Sequence, residues 1–286
     1  MPRNMEQVEK HQRIKIINLV LTPVENQSPG RYVELLNEMY ENKIEVNTYS
    51  DKFTRIKTLY GLGTDIIHGE FVIYTRLNPD LPAFNTQTNE MQAIDYDPTI
   101  GPNAKSANFY FIPQVHKLVL HFPMKFSENH IITFLKNALP QVAAEGEAVN
   151  INVVISRDAI ERIIYAESVS RLCINISYSN NDNNTGWANI INEQLQNSHV
   201  QEAETIYKSE RRGNIVITED CLIKGQLDLT ETNGFAEAVV IENGRPQKIN
   251  TLDHPLIEKV QYVDDILPEI KNKMISMYGR HDEDIN

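Results

Sequence analysis

The chain of 286 residues contains two cysteines, one tryptophan and twelve glycines, so it is poor in the residues that build specialised architectures. Two thiols are too few for a disulfide framework or a cysteine-ligated metal site. Cys173 and Cys221 each stand alone in a strand-like segment and read as small core residues. No apolar run approaches the ~20 residues of a membrane-crossing helix, because the greasiest stretches, 14–21 and 115–122, have only strand length. Residues 1–13 are polar and lack an apolar signal core. These absences predict a cytoplasmic protein with no membrane partner. Basic residues are also in deficit. The 27 Lys and Arg against 39 Asp and Glu give a formal charge of −12, which excludes a protein that coats nucleic acid over its whole surface.

Several enzyme signatures are missing as well. There is no Gly-x-x-x-x-Gly-Lys phosphate loop, no Gly-x-Ser-x-Gly nucleophile turn, no His-Glu-x-x-His and no His-x-Glu with paired cysteines. Gly61 and Gly63 lie between two strand patterns, not between strand and helix, so they mark a turn. His116 and His121 fall on one strand pattern at an odd spacing, which puts them on opposite faces and prevents them from sharing a metal. Asp253 precedes His254 and Pro255 in an irregular stretch, where the acid is expected to cap a turn. No catalytic residue, metal or cofactor is assigned from the sequence.

The 41% of hydrophobic and 23% of charged residues are those of a globular protein. Residues 14–21 are a β-branched run that stops at Thr22-Pro23 and predicts a buried strand. Pro29-Gly30 opens a helix in which Tyr32, Leu35, Leu36 and Met39 recur at helical spacing. Strands are expected at 44–49, 53–60 and 69–77, followed by a long loop over 78–106 that Pro79, Pro82, Pro98 and Pro102 keep irregular. A hairpin over 109–122 and a helix capped by Ser127 come next. The remainder predicts a strand at 149–155, a helix at 157–165, a strand at 169–178 and a helix capped by Thr185. Strands are then expected at 204–208, 222–229 and 235–241, the last two joined by a Thr232-Asn233-Gly234 turn. After Asn243-Gly244 the chain reads as irregular until a helix at 265–278. This order predicts an α+β protein made of two modules of mainly antiparallel sheet with packed helices, of which a ferredoxin-like organisation is one form. The modules are expected at 1–147 and 148–286, divided at the small, acidic stretch 145–148.

The negative charge is uneven. Residues 1–63 carry nine Lys and Arg against eight Asp and Glu, while residues 64–286 carry eighteen against thirty-one. Within the near-neutral part, Arg55 and Lys57 project from one face of a predicted strand, Lys52 lies just before them, and Tyr60 closes the segment. Cations pair with phosphates and aromatic faces stack on unpaired bases, so this grouping suits a sheet surface that binds single strands. Arg211 and Arg212, next to Lys208, form a second basic group at a turn. The candidate nucleic-acid-binding set is therefore Lys52, Arg55, Lys57, Tyr60, Arg211 and Arg212.

Residues 251–260 (Thr-Leu-Asp-His-Pro-Leu-Ile-Glu-Lys-Val), together with Arg31-Tyr32-Val33-Glu34-Leu35-Leu36, Gly69-Glu70-Phe71 and Leu77-Asn78-Pro79-Asp80, carry a resemblance. They are similar to a bacterial family catalogued as a domain of unknown function, found in chromosomes, prophages and mobile elements, and the likeness spans nearly the whole chain. The turn Glu242-Asn243-Gly244-Arg245 and the order of the late strands resemble phage-exclusion proteins of the RexA type, which bind DNA. The resemblance implies a role in phage defence or abortive infection and carries no binding residues across; nucleic acid as a partner at the local basic site is what the residues themselves suggest. Two alternatives stand beside it. One is a metal-independent endoribonuclease using His68, His116 or His121; the other is a nonenzymatic adaptor that joins a second subunit, or a second copy, through a sheet edge.

Overall fold

A computed structural model describes residues 9–63, 65–78, 80–93, 97–177, 186–210 and 213–279. The elements run β1 (Lys10–Thr22), α1 (Pro29–Glu41), β2 (Glu45–Tyr49), β3 (Lys52–Tyr60), β4 (Ile67–Thr75), β5 (Ala83–Asn85), β6 (Glu90–Gln92), β7 (Lys105–Ile112) and β8 (Lys117–Phe122). They continue with α2 (Asn129–Ala138), β9 (Ala148–Val153), α3 (Arg157–Ile164), β10 (Ser168–Ile176), α4 (Gly186–Asn197), β11 (Ala203–Lys208) and α5 (Leu222–Asn233). The last are β12 (Gly234–Glu242), β13 (Arg245–Asn250), β14 (Ile257–Tyr262) and α6 (Leu267–Tyr278).

The α+β expectation holds, with helices packed on mainly antiparallel sheets. The large sheet has the order β14-β1-β8-β7-β4-β3-β2, with β9 also on β1. The small sheet has the order β11-β10-β12-β13. In it β10 and β11, joined through α4, are immediate neighbours and antiparallel, whereas the ferredoxin-like form sets another strand between the two strands of each split βαβ unit, so the connectivity differs. The stretch at 145–148 leads into β9, which joins the large sheet; β14 does the same, so residues after 147 contribute to both sheets.

β1 explains why the large sheet needs two covering layers. Its odd residues Ile17, Leu19 and Leu21 pack with the α1 and α2 stripes, including Tyr32, Leu35, Phe134 and Leu135. Its even residues Ile14 and Ile16 lie on the other face, beneath Ile270 and Met274 of α6. A strand buried on both faces has to be a continuous apolar run, which is what 14–21 is. The α1/α2 face is the inner face below, and the α6 face the outer one. The small sheet buries Leu172, Ile174, Ala238 and Val240 on one side, against α3, α4 and α5 residues such as Ile160, Ile191 and Leu227. A buried polar knot joins the parts: Lys117 Nζ donates to Asn18 Oδ1 at 2.8 Å, Asn18 Nδ2 donates to Asn233 Oδ1 at 2.8 Å, and Lys117 lies 4.6 Å from the Tyr278 ring.

Several local expectations are corrected. Residues 222–229 are helical, and Thr232-Asn233-Gly234 is the passage from α5 into β12 instead of a hairpin turn. Cys221 caps this helix through its sulfur, which accepts from Lys224 N–H at 3.4 Å, and Lys224 pairs with Asp228 one turn on. Gly225 lets α5 meet α4, since a Cβ there would lie 2.5 Å from Trp187 Cβ. Both cysteines are half-buried instead of core residues. The chain after Asn243-Gly244 forms β13 and β14, whose partners β12 and β1 hold them in place. In the long loop, β5 and β6 form a short hairpin. The helix expected at Ser127 begins at Asn129, whose N–H donates to the Ser127 hydroxyl at 3.3 Å. Asn250, not Asp253, caps the turn at 251–253. His116 precedes β8 in a left-handed conformation. Thr185 and the Asn-rich turn 180–184 lie outside the described residues. Among the described residues, no helix is long and apolar enough to cross a membrane.

Candidate nucleic-acid interface

The outer face of the large sheet is covered only in part. Under α6 it carries Ile14, Ile16, Tyr110, Ile112 and Val119. Towards β4, β3 and β2 it carries Val72, Tyr74, Glu70 and His68 from β4, and Phe53, Arg55 and Tyr60 from β3, all half-buried or exposed. The alternation in β4 is strict, with odd residues buried on the inner face and even ones turned outward. Register fixes the rows on this face: Phe53 stands opposite Tyr74, Arg55 opposite Val72, and Tyr60 opposite His68.

Two aromatic pairs mark the face. The Phe53 and Tyr74 rings stack with centroids 6.4 Å apart, and the Arg76 guanidinium lies over Phe53 at 4.3 Å. Tyr60, 56% exposed, lies 5.4 Å from the His68 ring. Between the pairs, Arg55 donates to the Ile56 carbonyl at 3.4 Å and forms no ion pair with a described residue. Lys57 is the extra residue of a β-bulge, because Ile56 faces Phe71 while Thr58 faces Glu70. Gly69 makes room for that bulge, since a Cβ there would stand 2.1 Å from the Thr58 carbonyl oxygen.

The acids present are already engaged. Lys57 Nζ donates to Glu70 at 2.6 Å, and this bond holds the Glu70 carboxyl below the usual carboxylate range against the opposing effect of burial. Glu45 accepts from both Tyr74 and Arg76. Burial pushes the Tyr74 phenol up, with nearby Arg55 opposing, so it remains a neutral donor at physiological pH. Exposed pairs such as Lys57–Glu70 are worth about 0–1 kcal/mol, so an incoming phosphate exchanges for the carboxylate at little cost. A hollow of about 500 Å³ adjoins the cations, lined by Arg55, Tyr74, Arg76 and the loop residues Ile100 and Gly101.

The structure groups the predicted residues only in part. Arg55, Lys57 and Tyr60 lie along the outer side of β3. Lys52 belongs to the inner side: its Nζ donates to the buried Thr75 hydroxyl at 2.6 Å, and its charge acts on His130 of α2. Arg211 and Arg212 lie outside the described residues; Lys208 beside them is on β11 in the small sheet. Sequence reading missed Phe53 as a partner of Tyr74, and missed Arg76 altogether. The alternation Val72, Tyr74, Arg76 was the available signal, but the β3–β4 register that brings it beside Phe53 is a tertiary fact.

The three histidines considered for catalysis separate. His116 is buried and stacked on Tyr32 at 4.3 Å. His121 Nε2 lies 2.9 Å from the Tyr110 hydroxyl beneath the α6 side, and burial lowers its pKa from the ordinary value. His68 alone of the three stands on the uncovered part, and its Nδ1 is buried without a hydrogen-bond partner among the described residues. Among the described residues, no group of three or more His, Cys, Asp or Glu is placed to hold a metal ion. A family model described as a domain of unknown function, DUF4747, matches residues 10–277. No curated protein matches the chain.

Proposed function

For this chain, which belongs to the DUF4747 family, we propose that the uncovered part of the large sheet binds single-stranded nucleic acid, in the bacterial cytoplasm and within a phage-defence or abortive-infection response. The observation that carries the binding reading is the grouping, on one partly covered face, of the Phe53–Tyr74 stack, Arg76 over Phe53 and Arg55, which has no ion pair among the described residues. Bases stack on exposed rings whatever their identity, and flanking cations track the backbone. The acidity elsewhere confines binding to this face. The defence setting rests on the sequence resemblance alone. The test is fluorescence anisotropy with labelled oligo(dT) and oligo(U) over a salt series. Binding weakens with salt and is lost in the Arg55/Lys57/Arg76→Ala triple variant, whereas Lys52→Ala binds as wild type. Unchanged affinity in the triple variant removes this face from consideration.

A second reading, a metal-independent endoribonuclease, is favoured by His68, whose unpartnered Nδ1 lies at the end of the same face. RNA cleavage that persists in chelator and disappears in His68→Asn supports it. RNA left intact by the wild-type protein over hours rejects it.

A further inference from the structure

We propose that β9 is a docking edge for an extended peptide from another polypeptide, independently of nucleic-acid binding. Among the described strands β9 pairs only with β1. In that ladder Val154 N–H donates to Ile16 O. Counting back from it, Asn152 and Asn150 exchange bonds with β1, while Val153, Ile151 and Val149 sit in the alternate, non-hydrogen-bonded pairs. The N–H and C=O groups of these three residues therefore point away from β1. They face a cleft of about 570 Å³ between the β9 edge, α2 and the ends of β10 and β12. No described residue accepts from their N–H groups.

The other strands that end the two larger sheets are protected. β2 carries Glu45 and a bulge, β14 carries Glu258 and Lys259, β11 carries Glu204 and Lys208, and β13 carries Arg245, Pro246 and Lys248. Charge, proline and bulges are the usual means of stopping a sheet from recruiting another strand. β9, Ala-Val-Asn-Ile-Asn-Val, has none of them. Its protection is its recessed position in the cleft. Two copies of the same recessed edge cannot approach each other, which excludes pairing through β9 of a second copy. A single slender strand fits.

The walls define the peptide. Ile132 of α2 offers an apolar surface on one side, Asn152, Asn175, Ser177 and Phe235 offer amide, hydroxyl and aromatic groups on the other, and Glu128, Lys136 and Glu202 place both signs of charge along the walls. A strand alternates its side chains between two faces, so the matching segment alternates aliphatic residues, which suit Ile132, with small polar ones such as Asn, Ser or Thr, which suit the amide and hydroxyl groups. Main-chain bonds to Val149, Ile151 and Val153 would supply the shared affinity, and the walls the selectivity.

The test is amide hydrogen exchange of the full chain, read residue by residue by NMR. The probe is a pool of acetylated, amidated hexapeptides with Val, Ile or Leu at odd positions and Asn, Ser or Thr at even ones. In the free protein the amides of Asn150 and Asn152 are protected and those of Val149, Ile151 and Val153 exchange fast. The pool slows the latter three about tenfold or more, while the same pool N-methylated at alternate residues does not. Val149→Pro removes an outward N–H, which an edge strand tolerates, together with a side chain partly packed on the inner core; with Val149→Ala as the control for the lost side chain, the pool's effect is lost in the proline variant and kept in the alanine one. Outward amides already protected in the free protein, no slowing by the pool, or equal slowing by the N-methylated pool would each overturn the proposal.

Discussion

The two parts of one sheet face differ more than the two sheets do. Beneath α6 the outer face of the large sheet holds Ile14, Ile16, Ile112 and Val119, and its polar members are tied inward, as with Tyr110 bonded to His121. A few strands away, at β4 and β3, the same face holds Phe53, Arg55, Glu70 and Tyr74, half-buried, and Tyr60, exposed. Both parts share one hydrogen-bonded ladder and one inner core, so burial demand differs only on the outside. The covered part is selected for packing. The other part keeps rings and cations that α6 does not cover, with the loop at Gly101 against Tyr74, and for that reason it carries the functional reading.

The largest effect should come from the covered part. Ile270→Ala, beneath which Ile14 and Ile16 are fully buried, is expected to cost about 2–5 kcal/mol in urea unfolding with little change in oligonucleotide affinity. On the other part the ordering of effects reverses. Phe53→Ala or Tyr74→Ala removes a stacking ring worth about 1–3 kcal/mol per base, so anisotropy should show affinity falling roughly 5- to 150-fold while the unfolding midpoint moves far less. Arg55→Ala should reduce the slope of log affinity against log salt by about one, the signature of one lost phosphate contact. If Phe53→Ala destabilised the fold as much as Ile270→Ala does, the two parts would not differ in the way described.

The smallest effect is a pH dependence that belongs to the covered part. Burial lowers the His121 pKa in the folded state. The unfolded chain therefore binds more protons than the folded one at mildly acidic pH, and stability rises with pH in that window. This contribution is fully present above the ordinary histidine value near 6.5 and is lost as pH falls through the lowered folded value. His121→Asn should flatten urea stability across that range. His130, also lowered by burial and by Lys52, shares the sign, so part of the slope remains in that variant.

What could be read from the sequence follows the range of the interactions involved. β1, α1 and α2 announce themselves because their periodicity is local and strong. The Leu222-Ile223-Lys224-Gly225-Gln226-Leu227 stretch looks like a strand because its helix is set by distant contact with Trp187 and by a thiol cap, a residue type outside the usual capping set. β13 and β14 carry the charge and proline that protect edges, which erased the alternation by which strands are recognised. At the candidate site, parity alone separates Lys52 from Arg55 and Lys57. The bulge at Lys57 and the stacking of Phe53 on Tyr74 depend on register between strands and left no local trace.

The most direct test of the central claim is photocrosslinking of a 4-thiouridine oligonucleotide to the full chain, with the adducts located by mass spectrometry. The account predicts adducts on Phe53, Tyr60 or Tyr74, competed away by unlabelled oligonucleotide and by raised salt. Adducts confined to the small sheet or to the α6 side, or no competed adduct at all, would contradict it.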